Sequence, residues 1–171
     1  MSGESQKYIL DATCGSRMMW FDKNNKNAVF MDNRIENGTL IWKSGNGLAQ
    51  RHLDVNPDVI ADFTNMPFED NAFYLVVFDP PHFLNIGVNS WMCKKYGKLP
   101  ENWKPLIRDG FRECMRVLKP FGTLVFKWSE VDIKTSEIIA EIGITPLFGH
   151  KSGKQQGTHW MCFMKGASDN D

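Results

Sequence analysis

Short apolar runs alternate along the chain with segments whose apolar residues recur at helical spacing. The runs predicted to form strands are residues 8–10, 28–31, 59–61, 73–78 and 123–126. Apolar residues three or four positions apart predict a helix over residues 105–118, and a second helix over 136–142 ends at Gly143. Strands that alternate with helices indicate an α/β protein built on a parallel sheet.

The remaining segments have weaker patterns. Ser16 is expected to cap a short helix over residues 17–21, and residues 33–58 are expected to form an irregular or hairpin-like excursion. Residues 84–104 are expected to form a loop or lid, in which Trp91 and Trp103 look exposed. Residues 144–148 and 160–164 are predicted to pair as a last hairpin, joined by the polar loop 150–157.

Composition narrows the class of protein. The 171 residues, 42% of them apolar, suffice for one buried core, and the net charge of zero argues against a disordered chain or a polycation. No apolar run approaches a membrane span, and the first residues lack a secretory hydrophobic region. The cysteines and histidines match no disulfide or metal-site spacing. We therefore expect one cytoplasmic domain, with a core over about residues 7–165 and a disordered tail over 166–171.

Charge is distributed unevenly along the chain. Residues 52–90 contain six acids and no Lys or Arg, whereas residues 91–120 contain eight bases against three acids. The first stretch suits a cationic ligand, and the second, basic segment suits an anionic partner such as nucleic acid. Alternatively Arg108, Arg112 and Arg116 are simply the solvated stripe of an amphipathic helix. Both interpretations stay open at this point.

Aspartates end three of the predicted strands: Asp11, Asp32 and Asp62. Ligands of open α/β sheets bind beyond such strand ends, and Asp32 follows Asp11 by 21 residues, a spacing typical of an acid that accepts ribose hydrogen bonds. The loop after Asp11 does not match GxGxxG or GxxxxGK[ST]. An acid-rich pocket without Lys or Arg would repel a pyrophosphate and tolerate a sulfonium. S-adenosylmethionine (SAM) is therefore favoured over NAD or ATP.

An Asp-Pro-Pro-His motif, residues 79–82, directly follows the strongest predicted strand. A carboxylate and a rigid proline carbonyl form a pair of acceptors for the two hydrogens of an NH2 group. Holding both hydrogens directs the nitrogen lone pair toward an electrophile. His82 or Phe83 could stack on a nucleobase held there. The alternative is that the two prolines only reverse the chain.

With these motifs the sequence resembles the class I SAM-dependent methyltransferases that carry an Asp-Pro-Pro-aromatic motif and methylate exocyclic amines, such as N6 of adenine or N4 of cytosine. The resemblance covers most of the chain, from Tyr8 to about Lys165. It implies a Rossmann-like fold: a seven-stranded mixed sheet with helices on both faces and a C-terminal antiparallel hairpin.

The resemblance also implies a set of site residues. Those expected to bind SAM are Asp11, Ala12, Thr13, Cys14, Gly15, Arg17, Asp32, Asn33, Asp62 and Phe63. The expected catalytic residues are Asp79, Pro80, Pro81 and His82. Asp79 and the Pro80 carbonyl would orient the amine, and His82 would stack on the substrate or move a proton. Arg17 replaces the second glycine of the usual first motif, so that the loop is tighter or Arg17 holds the methionine carboxylate.

The expected function is therefore N-methylation of a nucleobase amine in DNA or RNA. One alternative is N-methylation of a protein side chain or a small molecule, since the same acceptors suit a glutamine amide. Another is a catalytically silent SAM-binding subunit that supports a partner. No segment of domain size is left for target recognition, which would depend on residues 84–104, the basic segment or a partner protein.

Overall fold

A seven-stranded sheet forms the centre of the computed structural model, which describes residues 7–44, 47–152 and 157–166. The strands are β1 Ile9–Asp11, β2 Ala28–Asp32, β3 Glu36–Ser44, β4 Gly47–Val55, β5 Val59–Ile60, β6 Phe73–Phe78, β7 Leu118–Ser129, β8 Phe148–Ser152 and β9 Thr158–Met164. The order in the sheet is β5-β2-β1-β6-β7-β9-β8, and β3 pairs with β4 in a separate antiparallel hairpin.

The strand directions make this a mixed sheet. β5, β2, β1, β6 and β7 run parallel, whereas β9 runs antiparallel to both β7 and β8. From β1 the chain builds outward through β2 to β5, then crosses to β6 on the other side of β1. A crevice opens at the carboxyl ends of strands where the order reverses in this way. The predicted mixed sheet with a C-terminal antiparallel hairpin is confirmed.

The helices are α1 Trp91–Tyr96, α2 Trp103–Val117 and α3 Thr135–Ile142. α2 packs against α3 and against β6 and β7, and its Phe111 ring centre lies 5.0 Å from that of Phe163 on β9. Gly110 permits the approach to β6, because a Cβ there would lie 3.0 Å from the Phe78 ring and 2.5 Å from the Phe63 ring. The sequence predicted both longer helices because their apolar residues face one core.

The expected helix over residues 17–21 is wrong. Arg17 has a φ of 53°, a left-handed conformation that interrupts an α-helix, and the segment forms consecutive turns. The Trp20 indole is turned inward instead and donates a hydrogen bond to Asp11. The buried Asp11 carboxylate requires a hydrogen-bond donor, and placing Trp20 there is incompatible with a helix over residues 17–21.

Several boundaries also differ from expectation. The lid over residues 84–104 contains α1, and Trp103 is buried in the core rather than exposed. β8 begins at Phe148, later than the predicted residue 144. Three predicted segments lie partly or wholly outside the described residues. They are the turn over 45–47 within the 33–58 excursion, of which 45 and 46 are not described, the 150–157 loop, of which 153–156 are not described, and the tail from residue 167. Within the described ranges, no helix has both the length and the apolar character to cross a membrane.

Candidate functional site

A cavity of about 460 Å³ lies at the carboxyl ends of β1, β2, β6 and β7, with the end of α1 on its opposite side. Of the residues predicted from sequence, those lining it are Ala12, Thr13, Cys14, Gly15, Asp32, Asn33, Phe63, Asp79, Pro80 and Pro81. The structure therefore brings the first-motif loop and the Asp-Pro-Pro segment to one cavity.

Asp11 does not line this cavity. Its side chain is fully buried and accepts hydrogen bonds from Trp20 Nε1 at 2.7 Å and from the Thr13 backbone at 3.3 Å. Burial raises the pKa of Asp11 to about 6, and the charges of Asp79 and Asp32 add to the rise. Asp11 thus holds the loop that follows β1 in place.

Arg17 and Asp62 are also placed away from the cavity. The Arg17 guanidinium donates to the carbonyls of Lys23 and Asn56, each at 2.7 Å, and stacks over Phe30 at 3.8 Å. Asp62 accepts from the backbone and the hydroxyl of Thr64, both at 2.8 Å, within its own turn. The suggestion that Arg17 holds a methionine carboxylate is therefore not supported, because its donors are engaged elsewhere.

Gly15 and Asp32 join the first two strand ends. The Gly15 N–H donates to Asp32 Oδ2 at 2.9 Å, and Gly15 has a φ of +48°, which favours glycine. The second oxygen, Asp32 Oδ1, lies 3.5 Å from Arg34 Nε. An ionised carboxylate has about four acceptor positions, so Asp32 can still accept hydrogen bonds from a ligand in the cavity.

Cys14 lines the same cavity without being a reactive thiol. It is buried in a small cluster with Ala28 and Phe30, and burial raises its pKa to about 12. The thiol therefore stays protonated at neutral pH and serves as a small apolar group.

Asp79 is fixed from two sides. Its backbone N–H donates to Thr13 Oγ1 at 2.8 Å, which ties the Asp-Pro-Pro segment to the first-motif loop. Its Oδ2 forms an ion pair with Lys127 Nζ at 2.6 Å, and both side chains are less than one-fifth exposed. Lys127, near the carboxyl end of β7, was missed in the sequence. The signal that could have identified Lys127 is that it is a single charged residue between two aromatic residues of the strand, Phe126 and Trp128, both of which are buried.

His82 lies behind the cavity wall. Only 6% of the residue is exposed, and its ring centre is 4.4 Å from that of Phe83, 5.6 Å from Tyr96 and 6.4 Å from Trp128. Burial lowers the pKa of His82, outweighing the opposing charge of Asp79, so the ring is neutral near pH 7. Nδ1 has no hydrogen-bond partner among the described residues. His82 is not among the residues that line the cavity.

The cavity is more basic than the sequence suggested. Four basic residues line it, namely Arg34, Lys95, Lys98 and Lys127. The expectation of an acid-rich pocket without Lys or Arg is therefore wrong, because the fold brings in residues from outside the 52–90 segment. Met18, Met19 and Tyr96 also line the cavity.

The arginines of α2 are engaged in ion pairs. Arg108 lies 3.2 Å from both Asp109 and Glu141, while Arg116 lies 2.7 Å from Asp70 and 2.6 Å from Glu113. The hydrogen bond from Arg116 lowers the pKa of Glu113. This favours the interpretation of the stripe as a solvated helix surface. Two of the four bases at the cavity, Lys95 and Lys98, come from the lid instead.

The lid packs directly on the Asp-Pro-Pro-His motif. Arg34 donates to the carbonyls of Lys94 at 2.6 Å and Lys95 at 2.9 Å, near the end of α1. The helix ends at Gly97, where a Cβ would lie 3.0 Å from Pro81 Cγ and where φ is +79°. Backbone contact continues from Leu99 N to Phe83 O at 2.8 Å. The position of α1 is thus set by both halves of the cavity.

Comparison with known proteins identifies the fold. No protein-family model matches the sequence, and no curated protein does either. A Pyrococcus horikoshii protein aligns with a TM-score of 0.56 and 12% identity, over 95% of this chain and 84% of that one. A SAM-dependent methyltransferase from Leishmania major aligns with a TM-score of 0.52 and 13% identity, over 95% and 67%. The chain therefore shares the Rossmann-like fold of these two structures.

Proposed function

We propose that the protein is a SAM-dependent N-methyltransferase of the Asp-Pro-Pro-aromatic type, which methylates an exocyclic amine of a nucleobase in DNA or RNA. One observation carries the proposal: Asp79 and Pro80 lie on the wall of the same cavity as Gly15 and Asp32. Methyl transfer to an amine requires that the amine and the methyl donor be held side by side. A motif that holds an amine and a loop that binds a nucleoside meet this requirement when they line one cavity.

The cavity residues fit SAM. The cavity volume of about 460 Å³ lies within the range of roughly 300–1,000 Å³ common to small-molecule sites. Asp32 can accept hydrogen bonds from ribose hydroxyls, Phe63 offers an apolar wall for adenine, and Met18 and Met19 suit the methionine arm. When bound, SAM supplies an electrophilic methyl group.

Asp79 and Pro80 hold the acceptor amine in this proposal. The ion pair at Oδ2 fixes the Asp79 carboxylate, so that Oδ1 and the Pro80 carbonyl accept the two amine hydrogens. The amine nitrogen then presents its lone pair in one direction. The carboxylate also offsets the positive charge that develops on that nitrogen, and it costs no reorganisation because it is already held.

The charge of the lid supports a nucleotide substrate. Lys95 and Lys98 line the cavity beside Pro81 and are contributed by the basic segment 91–120. Phosphate groups flanking a target base would neutralise these ammonium groups, whereas a neutral small molecule would not. We propose that this end of the lid meets the nucleic-acid backbone, with a partner protein supplying sequence recognition where it is needed.

We further propose that residues 1–171 act as one domain in the cytoplasm. All four cysteines are free thiols rather than disulfides in the part of the chain that the structure describes. That state is expected in a reducing compartment.

Calorimetry followed by a methyl-transfer assay tests the proposal. We expect SAM to bind and NAD not to bind, and labelled methyl groups to pass to DNA or RNA oligonucleotides. Binding of NAD alone would contradict the cofactor assignment. Transfer only to glutamine peptides or small amines would support the alternative substrates, and SAM binding without transfer to any amine would indicate a silent subunit. Asp79→Asn serves as the matched inactive control.

A further inference from the structure

We infer that Tyr96, at the end of α1, is the flat surface on which the substrate base stacks, in place of the fourth residue of the Asp-Pro-Pro-His motif. This rests on the proposed function, since it concerns the same amine site. Tyr96 lines the cavity together with Asp79, Pro80 and Pro81. It is an aromatic side chain at the cavity wall next to the residues proposed to hold the amine.

His82 is excluded from this role by its surroundings. It is 94% buried, and the rings of Phe83, Tyr96 and Trp128 surround it. A base could reach the imidazole only if Tyr96 moved away. His82 is therefore a positioning residue that backs Tyr96 from inside the protein.

Tyr96 is well supported as a stacking surface. Its ring centre lies 5.6 Å from that of His82 and 6.2 Å from that of Phe83, both within the range of favourable aromatic pairs. The backbone is also fixed, because Gly97 lies against Pro81 and Arg34 binds the two carbonyls before Tyr96. A ring held in this way loses little conformational freedom when a base stacks on it.

The neighbouring charges suit a nucleotide. Lys95 Nζ lies over the Tyr96 ring, 4.8 Å from its centre, and Lys98 lines the cavity two residues further on. A base that stacks on this face takes the place of the Lys95 ammonium, which is then close to the phosphates of the same nucleotide. Such a combination of an aromatic surface and adjacent cations is used for single-stranded or extruded nucleotides.

Four variants test the inference: Tyr96→Leu, Tyr96→Phe, Tyr96→Trp and the control Tyr74→Leu. Tyr96→Leu removes the flat ring and keeps an apolar side chain. We expect it to raise the apparent KM for the oligonucleotide by about ten- to a hundredfold, the effect of losing one stacked base. The single-turnover rate at saturating oligonucleotide and the SAM affinity should stay within about threefold. Tyr96→Phe and Tyr96→Trp should keep a KM close to that of the parent.

The matched control is Tyr74→Leu, the same substitution at a tyrosine of β6 that is 55% exposed and does not line the cavity. It should leave KM and turnover near the parent values. An unchanged KM in Tyr96→Leu would overturn the inference. If circular dichroism shows that Tyr96→Leu does not fold, the two aromatic variants decide. A KM more than tenfold above that of the parent in both Tyr96→Trp and Tyr96→Phe would then overturn the inference. A parent protein that methylates no base-containing substrate would overturn the proposed function instead.

Discussion

Lys127 Nζ lies 2.6 Å from Asp79 Oδ2, so the carboxylate proposed to hold the substrate amine is itself held by the adjacent strand. The two residues are 48 positions apart and meet because β7 pairs in parallel with β6. A charge-assisted hydrogen bond of this length fixes the orientation of the carboxylate. The acceptor geometry at the site therefore depends on Lys127 as well as on the prolines.

Replacing Lys127 with Met tests this dependence. Met has similar length and no charge, so Asp79 loses its partner and can rotate or bind water. We expect the single-turnover methyl-transfer rate to fall by about ten- to a hundredfold, while SAM affinity measured by calorimetry changes less than threefold. Lys127→Arg, which keeps the charge, should recover part of the rate. Equal rates in the parent and Lys127→Met would show that the ion pair is not needed.

Asp79→Asn separates chemistry from cofactor binding. The amide keeps the shape of the carboxylate but replaces one acceptor with a donor, which must face either Lys127 or the substrate NH2. We expect the single-turnover rate to fall by roughly two to three powers of ten. SAM affinity should change much less. Unchanged turnover would remove the Asp-Pro-Pro-His motif from the mechanism and leave only the cofactor site.

Asp32→Ala should weaken SAM binding. The variant leaves ribose hydroxyls and the Gly15 N–H without an acceptor, at a cost of about 1–3 kcal/mol, which is roughly five- to 150-fold in Kd. Asp62→Ala is the matched control, because its carboxylate bonds to Thr64 and does not line the cavity. Calorimetry with SAM compares the two. A larger loss in Asp62→Ala than in Asp32→Ala would contradict the assignment.

Asp11 should make stability fall as pH rises. Its pKa is about 6 in the folded protein, above the ordinary aspartate value of 3.8, so between these pH values the folded state binds the extra proton. The difference between the two pKa values corresponds to about 3 kcal/mol of folding stability, which is lost progressively from pH 4 to pH 7.

Urea unfolding of the parent and of Asp11→Asn measures this effect. The Asn amide oxygen can still accept from Trp20 and carries no charge to bury. Relative to the variant, the parent should become less stable by about 3 kcal/mol between pH 4 and pH 7.5. A stability difference that does not change with pH would mean that Asp11 ionises as freely in the folded state as in the unfolded one.

Salt dependence distinguishes the lid from the α2 stripe. If Lys98 contacts a phosphate, Lys98→Ala should reduce the slope of log K against log salt by about one unit in oligonucleotide binding. Arg112→Ala is the control, since Arg112 is exposed on α2 and lies 3.8 Å from Asp109. It should leave the slope unchanged. The reverse result would assign the phosphate contact to α2.

The sequence predicted the parts of the fold whose signals are local. Strand β6, the C-terminal hairpin and helix α2 follow from apolar periodicity, and the motif after β6 follows from its prolines. The turn at Arg17 was missed because the competing interaction, from Trp20 to Asp11, depends on burial that periodicity does not report. The predicted start of β8 was wrong for a similar reason, since the apolar pattern of an edge strand is weak.

The candidate site was predicted in outline but not in its contacts. Gly15, Asp32 and Asp79 were found because each follows a strand at the expected place. Lys127 and Tyr96 were missed because they reach the cavity from β7 and α1, and no spacing in the sequence links them to residues 79–82. His82 was misplaced for a related reason, because two of the three rings that surround it, those of Tyr96 and Trp128, are distant in the sequence.

Arg34 connects the two halves of the site through a shared oxygen. Its Nε lies 3.5 Å from Asp32 Oδ1, while its terminal nitrogens bind the carbonyls at the end of α1. In the proposed site, a ribose hydroxyl of SAM that donates to Oδ1 competes with Arg34 for the lone pairs of this oxygen. Binding of SAM therefore changes the free energy of oligonucleotide binding at the end of α1. Such linkage is reciprocal by thermodynamic necessity: any factor by which SAM alters oligonucleotide affinity is the factor by which the oligonucleotide alters SAM affinity.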